Sequence, residues 1–487
     1  MPPVFGMTIT AIDNEPRTPV WGDMSIIGLI GTAPDADEEQ FPINTPVLIR
    51  SSDADALEAL GAAGTLADAV KLINAQLGEL QAAALVVVVR VTAGADTAAT
   101  IANIVGNATD TGVGAFLQSG QLLGYTPRLL AAPGFTSQTA TGVSALTIAN
   151  AGSGYANGTF PLTATGGGGS GFAGTATVAG GVITAVNITS PGTGYTSAPT
   201  ISLSALSGGT GGSVTAAVAP VGNAVVAALA GICNRLLAHA VVDGPGTSRA
   251  AAQAWRETIS SDRIIPVEPA VKVTDATGVA VVVPLSPAVL GIAVRRDAEF
   301  AGRPFHSWAN QAVQGIVGPS RPIGFSLTDD TSEGQLLLAS NIGILTRGEM
   351  GVDGAIADGG FIFIGTDNAG SDELWRFYNV KRGRDYIHLM CLKTLRTYLG
   401  KFNITGQTIQ AIVNTLNGAL RDLKATGDIL GYRVDFVPDQ NSPENLRAGR
   451  ITVGFQAEEA PVLRRIDVQS MRYRPALNAL VDDLASA

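Results

Sequence analysis

Leu85-Val-Val-Val-Val-Arg-Val91 decides the class of the fold. A continuous run of mostly β-branched residues, without polar alternation, is the pattern of a strand covered on both faces. Upstream, Met24-Ser-Ile-Ile-Gly-Leu-Ile30 and Pro46-Val-Leu-Ile-Arg50 read as further strands. Between these and the valine run, Leu66, Val70, Ile73, Leu77 and Leu80 fall on one helical face. Downstream, Arg128-Leu-Leu-Ala-Ala132 is a short strand stopped by Pro133-Gly134. Strands alternating with helices predict a largely parallel sheet flanked by helices, an α/β fold.

That pattern stops at residue 138. Residues 138–221 are Gly, Thr, Ser, Ala and Val with almost no charge, and they hold most of the glycine excess. The chain has 59 glycines in 487 residues, against a usual share of about 7%. An internal repeat lies within the stretch. Ala145-Leu-Thr-Ile-Ala-Asn-Ala-Gly-Ser-Gly-Tyr155 aligns with Ala185-Val-Asn-Ile-Thr-Ser-Pro-Gly-Thr-Gly-Tyr195, 40 residues on, and Gly174-Thr-Ala-Thr-Val178 aligns with Val214-Thr-Ala-Ala-Val218. Each copy reads as short strands around a Gly-x-Gly-Tyr turn, predicting a small all-β unit built by duplication. The α/β pattern resumes with an apolar helix over Asn223–Ala238 and a strand at His239-Ala-Val-Val-Asp243. An insertion into an α/β unit is expected at an exposed loop whose ends lie close.

From Ser371 the character changes again. Ile387, Cys391, Leu395, Leu399 and Phe402 form a helical stripe, and Ile409, Ile412, Val413, Leu416, Leu420 and Leu423 a second helix. Arg433–Val437 and Leu463-Arg-Arg-Ile-Asp-Val-Gln-Ser-Met471 are strand-like, and a short tail follows. At the other end, Phe5-Gly-Met-Thr-Ile-Thr-Ala-Ile12 is a strand tethered by the proline-broken Asp13-Asn-Glu-Pro-Arg-Thr-Pro19. Short strands at both ends cannot bury themselves alone and call for a partner.

Charged residues are 15% of the chain, well below the usual ~25%. Low charge in a long chain predicts that protein covers much of its surface. A membrane span is excluded, because the longest apolar runs, Ala82–Val89 and Ala224–Cys233, fall far short of about 18 residues. With no basic leader before an apolar segment, the chain is expected to be made and kept in a cytosol. The net charge of −10 divides unevenly: residues 371–487 carry 16 basic and 13 acidic residues, leaving the rest at −13. An acidic body argues against nucleic-acid binding. The mildly basic C-terminal part suits an acidic protein partner.

No motif carries catalysis or a cofactor. His239, His306 and His388 have no Cys or Glu at metal-ligand spacing. There is no G-x-S-x-G elbow, and Gly166-Gly-Gly-Gly-Ser-Gly171 lacks the strand–turn–helix setting of a dinucleotide fingerprint. Cys233 and Cys391 read as free thiols on apolar helix faces, with a disulfide between subunits as the other option. A hydrolase on the α/β core is the rival functional reading, although without any motif. An adhesin or fibre reading would explain only residues 138–221.

Taken in order, several segments resemble the sheath protein of contractile phage tails and related injection machines. They are Ile12-Asp-Asn-Glu-Pro-Arg17, Ser25-Ile-Ile-Gly-Leu-Ile-Gly-Thr-Ala-Pro-Asp-Ala36, Phe41-Pro-Ile-Asn-Thr-Pro-Val-Leu-Ile49 and Gly61-Ala-Ala-Gly-Thr-Leu-Ala-Asp-Ala69. Pro127-Arg-Leu-Leu-Ala-Ala-Pro-Gly134, Ala240-Val-Val-Asp-Gly-Pro245 and Ser286-Pro-Ala-Val-Leu-Gly-Ile-Ala-Val-Arg-Arg-Asp297 follow. The last are Phe377-Tyr-Asn-Val-Lys-Arg382 and Leu420-Arg-Asp-Leu-Lys-Ala-Thr-Gly-Asp-Ile-Leu-Gly431. Ile364-Gly-Thr-Asp-Asn368 departs from a Trp-Gly-Asn-Arg-Thr-like run in the family.

The resemblance implies a subtilisin-like but non-catalytic α/β sheath domain over 24–137 and 222–370, interrupted by the surface-exposed β domain 138–221. It further implies an α+β tube-facing domain over 371–462, with arms at 1–23 and 463–487. The arms would exchange strands between subunits through Phe5, Thr8, Ile9, Thr10 and Ile12 at one end and Leu463, Ile466, Val468 and Met471 at the other. Lys381, Arg382, Arg384, Lys393, Arg396 and Lys401 are the candidate basic residues facing the tube. The implied partners are neighbouring sheath subunits in stacked hexameric rings, the tail tube, the baseplate and the tail terminator. No cofactor, metal, nucleic acid or membrane insertion is implied. The implied place is the virion tail, assembled in the host bacterial cytoplasm.

Overall fold

The computed structural model describes residues 17–78, 82–107, 109–275 and 277–486. Its first part alternates strand and helix: β1 (Ile27–Thr32), β2 (Pro46–Arg50), α1 (Ala54–Leu60), α2 (Leu66–Ala75), β3 (Leu85–Val91), α3 (Thr97–Val105), α4 (Ser119–Leu123) and β4 (Leu129–Ala131). Six strands follow without a helix: β5 (Ala140–Ser153), β6 (Gly158–Thr165), β7 (Ser170–Ala179), β8 (Val182–Thr193), β9 (Thr200–Ser202) and β10 (Thr210–Val221). Alternation then resumes with α5 (Ala224–Leu236), β11 (His239–Asp243), α6 (Arg249–Glu257) and β12 (Ile264–Glu268). Next come β13 (Val271–Thr274), β14 (Ala280–Val283), α7 (Ser286–Glu299), β15 (Gln311–Ala312) and β16 (Gly318–Pro319). After α8 (Glu333–Ala339), β17 (Gly343–Arg347) and β18 (Phe361–Ile364) the C-terminal part begins. It comprises α9 (Tyr378–Leu395), α10 (Gly406–Ala425), β19 (Ile429–Phe436), α11 (Pro443–Arg447), β20 (Val453–Glu459) and α12 (Arg474–Ala485).

Nine strands form the central sheet in the order β15-β18-β17-β12-β11-β4-β1-β3-β2. From β17 to β3 the pairs are parallel; β2 and β18 join antiparallel at the flanks. The valine run sits beside β1 in register Ile27↔Val86, and its residues alternate between two cores. Val86 and Val88 pack with α2 and α7, whereas Val87 and Val89 pack with α5 and Trp255 of α6. Coverage on both faces explains why the run carries no polar alternation. The first strand starts three residues later than Met24, the expected start. Met24 is instead buried, with its carbonyl accepting from Arg382 Nη2 at 3.2 Å.

The six strands of 140–221 pair only among themselves, as β10-β5 and β8-β7-β6-β9, around their own apolar cluster of Val143, Leu162, Ala176, Ile183 and Tyr195. The 40-residue repeat sets the pairing. The first strand of each copy pairs with the last strand of the other, β5 with β10 and β8 with β7, and the middle strands β6 and β9 pair together. The turns repeat as well. Gly152 and Gly192 have φ of 64° and 65°, a conformation that favours glycine. A Cβ on Gly192 would lie 2.5 Å from the Ser170 carbonyl oxygen.

The helix expected over 223–238 is capped by Asn223, whose side-chain oxygen accepts from Val225 N. The helix predicted from Leu66 runs to Ala75, with Leu77 buried beyond it; Leu80 lies outside the described residues. No described helix is long and apolar enough to cross a membrane.

In the C-terminal part, α9 and α10 enclose Tyr386, Ile387, Met390, Leu416 and Leu420, and they carry a two-stranded ribbon, β19-β20. The expected strand at Arg433–Val437 is the end of β19. Its partner is Val453–Glu459, which the reading of the sequence passed over. The signal for it was the alternation of Val453, Phe455 and Ala457, all packed toward the helices.

Candidate subunit-docking surface

The ribbon β19-β20 pairs with no third strand among the described residues, so both of its edges are open. A two-stranded ribbon is marginal alone; this one is held by its inner face and by one clamp. Arg384 Nε bonds Glu459 Oε1 at 2.6 Å, and Arg384 Nη2 bonds Glu459 Oε2 at 2.9 Å and the Ala457 carbonyl at 2.6 Å. An open strand edge offers unpaired N–H and C=O groups to another chain.

Chain segments leave this surface at both ends. Residues 17–23 run along α9 and α10: Arg17 N donates to Thr415 Oγ1 at 3.0 Å and Val20 N to Thr394 Oγ1 at 2.9 Å. The Trp21 ring stacks on Tyr386 at 4.7 Å, and the Arg17 guanidinium lies over the Phe402 ring at 5.2 Å. So the last third of the expected N-terminal arm is fastened to its own chain. Phe5, Thr8, Ile9, Thr10 and Ile12 lie outside the described residues.

The C-terminal segment leaves directly from β20. Arg464 Nη1 bonds both oxygens of Asp367, at 3.2 and 3.1 Å, and beyond this point the chain stands free. Leu463, Ile466, Val468 and Met471 are 76%, 72%, 84% and 90% exposed. The strand-like stretch 463–471 is not a strand in this structure, because among the described residues it has nothing to pair with. Its alternation of apolar residues is present without a sheet to use it.

The six basic candidates divide. Arg382 is fully buried and cannot face a tube. It forms a two-bonded ion pair with Asp297, at 2.7 and 3.1 Å, beneath Trp308. Lys381 is tied to Asp262 at 2.6 Å, and Arg384 is the ribbon clamp. Lys381 and Arg382 hold the C-terminal part to the α/β body, and Arg384 holds the ribbon to α9. A basic residue on a helix is usually a surface residue, and their partners lie 73 or more residues away in sequence. Lys393 is half-buried, Arg396 and Lys401 are exposed, and none of the three has an ion pair among the described residues.

The histidines serve the same packing. His239 Nε2 lies 3.6 Å from Asp385 Oδ2, and burial keeps the imidazole well below its ordinary pKa and neutral. Burial would raise the Asp385 carboxyl, but His388, His239 and a two-bonded contact from Arg263 hold it well below the carboxylate range. None of the three histidines bonds a serine or cysteine among the described residues. Ser286 Oγ instead donates to Asp243, whose carboxyl burial pushes up to about 6. The thiols are free; burial pushes Cys233 to about 12 and Cys391 to about 11. This is no nucleophile–base arrangement, and the hydrolase reading finds no support.

Comparison with known proteins agrees with the resemblance. Residues 25–91 match the family model for the tail sheath protein Gp18 domain III N-terminal region. A prophage major tail sheath protein of Pseudomonas aeruginosa (strain UCBPP-PA14) is 30% identical over 239 residues, 49% of this chain and 58% of that protein. The chain thus spans little more than half the length of that relative. The tail sheath protein of Escherichia phage P2 is 23% identical over 482 residues, 95% of this chain and 94% of its own. Two solved structures share the fold. The sheath complex of an extracellular contractile injection system, PVC, in its contracted state has a TM-score of 0.57 at 12% identity, covering 98% of this chain and 99% of that one. The helical sheath of the anti-feeding prophage, also contracted, has a TM-score of 0.56 at 14% identity, covering 97% and 99%. The chain is similar in sequence to tail sheath proteins of a prophage and of phage P2, and it shares the mixed α/β fold of the sheaths of contractile injection systems.

Proposed function

We propose that the chain is the structural subunit of a contractile phage tail sheath. Copies polymerise as stacked hexameric rings around a tail tube, between baseplate and terminator, and contract to drive the tube through the host envelope for genome delivery. The observation that carries this reading is the ribbon β19-β20, without a third strand among the described residues, on a chain whose C-terminal segment 463–471 projects exposed and unpaired. Strand addition of residues 5–12 and 463–471 from neighbouring copies would complete the ribbon. Such contacts are head-to-tail and propagate as a helix.

In this reading, 24–137 and 222–370 form the subtilisin-like, non-catalytic sheath domain, and 138–221 is inserted in it and faces outward. Residues 371–462 lie toward the tube, with Lys393, Arg396 and Lys401 as the basic residues left to meet it. The arms are 1–23 and 463–487; residues 17–23 act as the fastened root of the first. Each subunit moves nearly as a rigid body during contraction, with the arms as hinges. The assembled sheath belongs to the virion tail and forms in the host cytoplasm.

The test is truncation. Removing 461–487, which takes nothing from any described core, is expected to leave a folded, soluble monomer with an unchanged circular dichroism spectrum. Electron microscopy should then find no tubes or rings, while the full chain forms them. Normal tubes from the truncated chain would overturn strand exchange at this end.

A further inference from the structure

A cavity of about 150 Å³ lies under the root of the C-terminal segment. Residues 305–307 of the α/β body, Asn379 of α9 and Asp428 just before β19 line it, and residues 460–462 beyond β20 form one wall. Three lining residues each carry a buried acceptor atom that makes no hydrogen bond among the described residues: Asp428 Oδ1, Asn379 Oδ1 and His306 Nδ1. Asp428 and Asn379 are 1% and 2% exposed. Buried polar atoms are almost always hydrogen-bonded, so three such atoms around one cavity point to a guest that donates.

The fold fixes each acceptor. Asn379 Nδ2 donates to the carbonyls of Phe305 at 2.8 Å and Ala460 at 3.5 Å, which leaves Oδ1 over. Asp428 Oδ2 accepts from Arg303 Nε and Thr426 Oγ1, both at 2.6 Å, and Oδ1 is left over. The His306 ring stacks on Phe300, and burial lowers its pKa. A neutral imidazole has one ring nitrogen able to accept. Asp428 Oδ1 and His306 Nδ1 are 4.0 Å apart, too far to bond one another. One donor group about 2.8 Å from each would bridge them. A second cation on such a carboxylate has a parallel in this chain. Asp367 holds two, Arg376 at 2.9 Å and Arg464 at 3.1 Å.

A primary ammonium offers three N–H donors and no acceptor, matching the three acceptors in number and kind. Phe305, Pro461 and Val462 supply apolar wall for an aliphatic stem. A cavity of about 150 Å³ admits a molecule the size of benzene. A metal ion suits the site less well, because no three His, Cys, Asp or Glu side chains gather to hold one among the described residues. We propose that this cavity binds a primary alkylammonium group through Asp428, Asn379 and His306. Two sources offer such a group: a free small amine, and a lysine side chain of a neighbouring copy. Only the second source rests on the chain's being a self-assembling subunit. Bound there, the ammonium joins the α/β body, α9 and the start of the C-terminal segment.

Saturation-transfer NMR with n-butylammonium and the full-length, unassembled chain tests this. Butylammonium is expected to bind. Butyltrimethylammonium keeps the stem and charge but has no N–H, and it should bind about tenfold more weakly, as should n-butanol. Asp428→Asn should weaken butylammonium about tenfold. His306→Phe, which retains a ring to stack on Phe300, should weaken it several-fold. Val462→Trp fills the cavity from a half-buried position and should abolish binding with an unchanged circular dichroism spectrum; it serves also where Asp428→Asn does not fold. No binding of butylammonium overturns the proposal. So does equal binding of the trimethyl analogue, or binding that survives Val462→Trp. The same titration on assembled tubes separates the sources. Tubes that still bind assign the site to a free amine, and tubes that exclude an amine the unassembled chain binds assign it to a neighbour's lysine. Failure to form tubes counts against the sheath reading and leaves the result on the unassembled chain standing.

Discussion

Two parts of the molecule are built from β-strands, and they cover those strands in opposite ways. In residues 140–221, each copy's first strand takes the other copy's last strand, the two middle strands pair, and the two resulting sheets pack on one shared apolar cluster. Among the described residues the ribbon β19-β20 meets no second sheet and packs on α9 and α10 alone. The first carries its own core within one chain. The second is a half-built sheet whose missing strands resemble the alternating segment 463–471 that projects from the same chain. A second packed sheet, more than strand content, separates a self-contained unit from an assembly surface.

The ribbon's dependence on its clamp gives the largest expected effect. Arg384→Met would leave the Glu459 carboxylate buried with its guanidinium partner gone. Breaking such a pair costs about 3 kcal/mol, the low end of the buried range, since Arg384 keeps some solvent. Hydrogen exchange should rise in β19 and β20 and stay unchanged in 140–221. Equal loosening of both would break the comparison.

The self-contained unit has its own weak point. Gly192→Val forces a β-branched residue to a φ of 65° and its Cβ toward the Ser170 carbonyl. The backbone cost alone is about 1–3 kcal/mol. Limited proteolysis should cut within 140–221 sooner, while the α/β body and the assembled particle keep their protection. Loss of assembly by this variant would tie the unit to the subunit contacts and blur the distinction.

What could be read from the sequence follows the same division. Leu85–Val91 declared itself because burial on both faces leaves an unbroken run of apolar, mostly β-branched residues. The 40-residue repeat revealed the duplicated unit but not that its copies pair crosswise, because a strand's partner is not written in its own residues. Strand β20 was missed and 463–471 was read as a strand. Both alternate, and only the first has a neighbour in the chain. Arg382 looked like surface charge because its partner, Asp297, lies 85 residues away. His239 and Asp385, which meet across the two parts of the chain, were invisible for the same reason.

The smallest expected effect is the sharpest use of the comparison. If 140–221 is complete in itself, removing it should cost the rest of the chain almost nothing. The geometry at its base favours this. The flanking strands β4 and β11 are parallel neighbours, with His239 opposite Leu129. The two ends of the segment already touch, since Asn223 Nδ2 donates to the carbonyls of Phe135 and Gln138 at 3.1 and 3.0 Å. A chain with residues 139–221 replaced by two glycines therefore closes a short loop without moving either strand. Closing a short loop in place of a long one changes the entropy by only about 2 kcal/mol, and in the stabilising direction. The shortened chain should unfold within a few degrees of the full one and still assemble into tubes, thinner by the missing outward mass. A shortened chain that aggregates on expression would mean that the strands of 140–221 hold the body together, and the contrast between a self-contained and an incomplete β surface would fail at its first term.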